Sequence, residues 1–507
     1  MSAAAPPGGY AGLFSASRRL NTIGRASVTA LTVRLPGGLR APTADAADVI
    51  YRLVVVDENP FGAVDALVDV CPAFFDAVRR GRRFLRRAPR LRAVTLCGGD
   101  RGGSRQGAVG MAVLYGAMLM PAVRELRLDT FSASAAVVGA LGRAPLTAAA
   151  LRSLHLRDIP TRAWALVVAP LLAHHGGTLR ELSLGGAAPM GLPHGTAVAT
   201  ALAAPDGGMP ALRALTLTHI VFAAPDAAAV AAACPALTGL SVGGAVGAHA
   251  AAALDADALP GLARLSWIPA AAASLGDDLT PLFAGRSLDA ATVGRRAVAW
   301  ATPRISSPLL SALTAAAALP VELDLRTAGA CSAAALRQLV GASASVARVQ
   351  RLRVALDRDA IEAGGLPALG RLPALTALSI LVTRGQPDFA AFPVGGLTHL
   401  GVAPWPGDRP RLPIVGLLHA LASSPSASTL RSLDLAGGPL DEAGPAAELL
   451  GGLSRLRRLS YAVLTPADVL TWTAADAAVA TATMVGWMRE RLPRVAVVVT
   501  PPLHWAG

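Results

Sequence analysis

One short frame constrains this chain more than anything else: apolar, two variable residues, apolar, one variable residue, apolar. It reads LRAVTL from Leu91, VRELRL from Val123, LRSLHL from Leu151, LRELSL from Leu179, LRALTL from Leu212, LTGLSV from Leu237 and LARLSW from Leu262. It returns as LTALSI from Leu375, LTHLGV from Leu397, LRSLDL from Leu430 and LRRLSY from Leu456. Weaker copies start at Val28, Ile50, Leu288, Pro320, Val349 and Val495. These 17 starts span 467 residues, a mean interval near 29. The leucine-x-leucine core has the period of a strand, so it buries one face. Proline sits two residues before the frame at Pro89, Pro121, Pro210, Pro235, Pro260, Pro373 and Pro493. There it ends the preceding helix and starts an extended segment. Between frames lie roughly 15–25 residues rich in Ala and Leu, enough for one helix each. Residues 163–172 and 442–453 are examples. Neither strand nor helix buries its apolar face alone, so the units must stack.

The frame resembles that of leucine-rich-repeat proteins of the ribonuclease-inhibitor-like class. The unit Val230–Val242 (VAAACPALTGLSV) resembles the cysteine-containing subtype found in F-box leucine-rich-repeat proteins. The resemblance implies an α/β solenoid of about 17 degenerate repeats, with a curved parallel sheet on the concave side and helices on the convex side. The chain departs from the family in one respect. Where the family places Asn or Cys after the strand, this sequence has Phe131, Ile159, Ala187 and Ile220. The usual side-chain ladder is therefore missing, and those turns need other partners for their backbone. Residues 1–26 read as a disordered tail and 27–507 as the solenoid, with an irregular stretch expected around 273–318.

Composition excludes several chemistries. All 46 basic residues are Arg and none is Lys, so no Walker A, kinase or Schiff-base lysine exists. A GC-rich genome would give the same bias. The four cysteines are scattered, without zinc or disulfide spacing, which suits a reducing, intracellular compartment, cytoplasmic or nuclear. The N-terminus has no acid before Asp45 and carries Arg18, Arg19 and Arg25, a weak organellar-targeting flavour. The longest charge-free run, 227–254, is mostly Ala and Gly with Pro235 inside it, which argues against a membrane span.

The net charge of +13 is largely local: 79–92 (RRGRRFLRRAPRLR) holds eight Arg and no acid. Arg79, Arg80, Arg82, Arg83, Arg86, Arg87, Arg90 and Arg92 make either a phosphate-binding or nuclear-import patch or the solvated face of a helix. Arg also follows the first apolar residue at Arg92, Arg124, Arg152, Arg180, Arg213, Arg431 and Arg457. That row is either a stripe for an acidic partner or ordinary solvated sequence.

The middle variable position of the frame faces outward. It reads Thr95, Arg127, His155, Ser183, Thr216, Ser241, Ser266 and Ser379. Charge gathers at Arg127, Asp129, His155 and Arg157, in adjacent repeats, which marks a candidate partner-binding patch on the concave face. Cross-strand pairing on a solvated sheet is the alternative.

Catalytic signatures are few. One GxSxG string, 239–243, centres on Ser241, but the serine falls within a strand frame rather than at a nucleophile elbow. His174 and His175 read as polar helix-end residues, and Cys234 as a buried core thiol. Residues 61–87 faintly echo an F-box, through Val70, Cys71, Phe74, Phe75 and Arg79, without its opening Leu-Pro or closing Trp. The expected function is non-catalytic protein recognition, with no cofactor or metal. Two alternatives stay open: a substrate-recognition subunit of an SCF-type ubiquitin ligase, bound to its F-box adaptor, and a nucleic-acid-associated protein using Arg79–Arg92.

Overall fold

The structure, a computed structural model, describes residues 30–34, 92–97, 123–129, 151–159, 168–186, 195–203 and 208–500. The last stretch is interrupted at 245, 247–248, 269–278, 295–303, 317, 342–345, 384–388, 390–391, 393, 406–411, 438–442, 464–485 and 487. The chain divides into two compact units, Met1–Gly261 and Leu262–Gly507.

In the first unit the strands are β1 (Ala30–Arg34), β2 (Ala93–Cys97), β3 (Glu125–Asp129), β4 (Ser153–Ile159), β5 (Glu181–Gly186), β6 (Ala214–Thr218) and β7 (Gly239–Gly243). Each pairs in parallel with the next. The longer helices described there are α1 (Ala169–His175), α2 (Gly195–Leu202) and α3 (Ala224–Ala233). In the second unit the strands are β8 (Arg264–Trp267), β9 (Ala290–Val293), β10 (Glu322–Asp324), β11 (Ala330–Cys331), β12 (Arg351–Asp357), β13 (Ala377–Thr383), β14 (His399–Pro404), β15 (Ser432–Gly437), β16 (Arg458–Val463) and β17 (Ala496–Thr500). They also run parallel, with β10 between β9 and β12, and β11 beside the far half of β12. The longer helices are α4 (Ser307–Ala315), α5 (Ala333–Gly341), α6 (Ile414–Ala422) and α7 (Ala443–Gly452). This is the α/β architecture of a leucine-rich-repeat solenoid.

Register follows the frame. Leu126, Leu154, Leu182, Leu215 and Leu240 align across five strands, and all are buried. Leu352, Leu378, Leu400, Leu433 and Leu459 do the same in the second unit. Each fully buried leucine contributes about 1.5–3 kcal/mol relative to exposure, so these rows make stacking favourable.

The prolines work through a turn. Leu212 N–H donates to Met209 O at 3.1 Å, Leu237 to Cys234 O at 3.1 Å, Leu375 to Leu372 O at 3.3 Å and Val495 to Leu492 O at 3.0 Å. Pro210, Pro235, Pro373 and Pro493 stand second in these four-residue turns, where φ near −65° is required and no N–H is used. The same device serves in α1, where Pro170 lies in the first turn.

Two frames need correction. The copy placed at Val495 would make Val498 a core residue, yet Val498 is 51% exposed while Val497 is 8% exposed. Register with β16 pairs Leu459 with Val497, so this frame starts one residue earlier. One residue of slip exchanges the faces of a strand, and the run AVVVT hides that slip. The frame at Ile50 lies outside the described residues. Because β1 pairs directly with β2, it adds no rung between them.

Threonine, placed before the strands rather than after them, ties neighbouring repeats together. Thr178 Oγ1 donates to Leu151 O at 2.8 Å and Thr429 Oγ1 to Leu397 O at 2.8 Å. Two positions further on in the frame, Thr238, Thr376 and Thr398 donate to Arg213 O, Gln350 O and Thr376 O at 3.1–3.2 Å. Ile220, at a position where the family carries a polar residue, is buried instead.

Candidate partner-binding face

Strand residues that alternate with the buried rows form the open face of each sheet. In the first unit the central outward row is Arg127, His155, Ser183, Thr216 and Ser241, one residue per strand and directly opposite one another, and Thr95 pairs with Arg127 in backbone register. Arg127 and His155 are therefore neighbours, as their frame positions require, and both are half-buried. Arg157 is exposed. It sits at a register shift between Leu156 and Ile159. A Cβ added to Gly185 on the next strand would lie 3.6 Å from the Arg157 Cα and 2.7 Å from Thr218 Oγ1. Glycine there leaves room for Arg157 and Thr218 together. Asp129 ends β3, and its side chain lies outside the described residues. Arg92 is exposed. The rest of the basic cluster, Arg79, Arg80, Arg82, Arg83, Arg86, Arg87 and Arg90, lies outside them too, as do residues 1–26 and 61–87.

A second outward row runs one step nearer the strand starts, through Glu125, Ser153 and Glu181. Ser153 is buried and donates to Glu181 Oε2 at 3.3 Å, while His155 Nε2 lies 2.8 Å from the same hydroxyl. Burial and the Arg127 guanidinium hold the His155 pKa below its ordinary value, against the pull of Glu125 and Glu181. The group is not a catalytic relay. The hydroxyl lies between imidazole and carboxylate, whereas general-base catalysis puts the imidazole in the middle. It can instead present a polar surface of fixed shape. Reading only the middle variable position misses Glu125, Ser153 and Glu181; the preceding outward position of the same frame reveals them.

The second unit carries a denser ionic group on its open face. Arg351 Nη1 meets Glu322 Oε1 at 2.7 Å across paired strands. Asp324 takes Arg326 in a fork, at 2.7 and 3.1 Å, and Arg353 at 3.5 Å. Glu322, Asp324, Arg351 and Arg353 fall at outward positions of the weak frames at Pro320 and Val349, and Arg326 in the turn that follows β10, where sequence reading placed no site.

Other candidates settle into the core. Ser241 lies in β7 between buried Leu240 and Val242, which removes the nucleophile-elbow geometry. Cys234 is fully buried, and burial pushes its thiol up to about 12. Cys331 is likewise pushed up to about 12, by burial and then by Asp357. His174 is exposed at the end of α1, but His175 is buried, contrary to its reading as a polar helix end. The two rings meet edge to face at 4.7 Å. Among the described residues no group of three His, Cys, Asp or Glu is arranged to hold a metal, and no helix is long and apolar enough to cross a membrane.

No family model matches the chain and no curated protein matches it. Similarity to solved structures extends to 70 chains. One is a crystal structure of a TLR13–ssRNA13 complex, 13% identical, with a TM-score of 0.34 over 76% of this chain. The chain spans 55% of that structure's length. The repeat architecture rests on the strand register and the buried leucine rows.

Proposed function

We propose that the chain is a non-catalytic scaffold that binds a protein partner on the open face of its repeat sheet. The observation that carries this reading is the in-register polar surface of the first unit. Arg127, His155 and Arg157 stand beside Glu125, Ser153 and Glu181 on rungs about 4.8 Å apart. A surface preformed by a parallel sheet limits the ordering cost of association. Mixed charge then selects the partner by complementarity.

The test compares affinity captures from the native cell. Arg127→Glu with His155→Glu should release a stoichiometric partner. Ala228→Glu, on the exposed side of α3, should retain it. Loss in both variants, or in neither, removes the open face as the site. The ubiquitin-ligase reading keeps one support, the buried Cys234 followed by the Pro235 turn. Direct mixing with a purified F-box adaptor decides it: a stable complex makes the scaffold a substrate receptor, and none leaves it a general one.

A further inference from the structure

Five successive rungs of the first unit carry arginine just after the first apolar residue of the frame: Arg92, Arg124, Arg152, Arg180 and Arg213. The backbone sets them in one line. Arg124 N–H donates to Arg92 O at 2.8 Å, Arg152 to Arg124 O at 2.7 Å, Arg180 to Arg152 O at 2.8 Å and Arg213 to Arg180 O at 2.8 Å. The line of arginine ends at Thr238, whose N–H donates to Arg213 O at 2.8 Å. At about 4.8 Å per strand, the five occupy an edge about 19 Å long. Arg92, Arg152, Arg180 and Arg213 are exposed and Arg124 is half-buried.

The fold does not require arginine here. In the second unit the same position holds Ala263, Asp289, Val321, Gln350, Thr376 and Thr398 before arginine returns at Arg431 and Arg457, and Thr376 and Thr398 tie the backbone of adjacent repeats. A run of five arginines therefore forgoes a stabilising threonine and places like charges within about 8 Å, one Debye length at physiological salt. A polyanion laid along the edge relieves that repulsion. Two acids, Glu125 and Glu181, stand in the adjoining outward row, which leaves the strip cationic. Seven further arginines, at residues 79–90, precede Arg92 in sequence.

We propose that this arginine ladder binds the phosphodiester backbone of nucleic acid. One guanidinium per rung meets a polymer with one charge per nucleotide, and the guanidinium fork matches a phosphate in two hydrogen bonds. Of the nearby outward residues, Ser183, Thr216 and Ser241 offer no ring for base stacking, and the His155 ring is half-buried with Nε2 2.8 Å from Ser153 Oγ. Recognition is of backbone charge and is independent of sequence. The site is distinct from the protein-binding patch at Arg127 and His155.

The experiment measures anisotropy of a fluorescein-labelled, mixed-sequence 20-nucleotide RNA with the full chain between 50 and 200 mM NaCl. For single strands the slope of log K against log salt is about −0.7 per phosphate neutralised. Replacing Arg124, Arg152, Arg180 and Arg213 by Gln should flatten the slope by about 2.8 and weaken binding about tenfold or more at 100 mM salt. The same four changed to Lys should keep the slope. Should the glutamine variant unfold, the end pair Arg92→Gln with Arg213→Gln should flatten it by about 1.4. An unchanged slope in the glutamine variants places binding elsewhere and overturns the proposal, as does absence of RNA binding by the wild-type chain. Labelled poly-glutamate of equal length, or phosphatidylserine vesicles, bound as tightly and with the same arginine dependence would assign the ladder to an acidic protein or to a membrane surface.

Discussion

Ser153 Oγ lies 2.8 Å from His155 Nε2, two residues along the same strand, and donates its one proton to Glu181 Oε2 on the next strand. The hydroxyl can then only accept from the ring, which requires the proton on Nε2. Serine fixes both tautomer and ring plane, and joins two strands on the open face without becoming a nucleophile.

The charges around His155 predict opposite shifts from two substitutions. Arg127→Gln removes the principal cationic neighbour, so the His155 pKa should rise. Glu181→Gln removes an anion that favours the charged ring, so it should fall further. Histidine-selective NMR titration, with His155→Gln to assign the resonance, reads both. Movement of the two variants in the same direction would contradict the arrangement.

How far the sequence reaches depends on periodicity. Wherever Leu alternates with polar residues, as in LRELSL, strand, face and register follow from the sequence alone, and Arg127 beside His155 follows from them. In AVVVT four apolar residues run consecutively, alternation vanishes, and the face is set by pairing with β16. Asp324 with Arg326 and Arg353 was hidden for a related reason: the weak frames around them mark the strands but not which outward residues reach one another. The burial of His175 depends on packing that no local pattern carries.

The β17 register yields a paired mutational test. Val497→Asp puts a charge into the core and should cost at least about 2 kcal/mol, whereas Val498→Asp should change stability by no more than about 0.5 kcal/mol. Urea midpoints of the two variants give the answer. Equal losses would mean that the strand is not held in the observed register.

Ser426 is fully buried, donates to Val394 O at 2.6 Å and accepts from Leu397 N–H at 3.2 Å. Ser426→Ala strands a buried carbonyl and a buried amide, and should cost about 1–3 kcal/mol. Thr429→Val, which removes one hydroxyl proton shared between Leu397 O at 2.8 Å and Ser426 O at 3.2 Å, should cost about 1 kcal/mol. Chemical denaturation separates the two, and a larger loss for Thr429→Val would reverse this ranking of the ties.

His175 makes the structure sensitive to acid. Its Nε2 is buried without a hydrogen-bond partner, and burial, then His174, lowers its pKa to about 4. The unfolded chain takes up this proton near pH 6.5, before the folded one does. Stability is thus complete above about pH 6.5 and is lost as pH falls towards 4. A displacement of about 2.5 pKa units, at 1.36 kcal/mol each, corresponds to about 3 kcal/mol. Between pH 7.5 and 4.5 the wild-type chain should lose about 2–3 kcal/mol more stability than His175→Leu, which has nothing to protonate. His174→Gln should lie between them, because it removes the smaller of the two causes. Parallel acid-induced loss in wild type and His175→Leu would show that carboxylates elsewhere, and not this imidazole, govern unfolding at low pH.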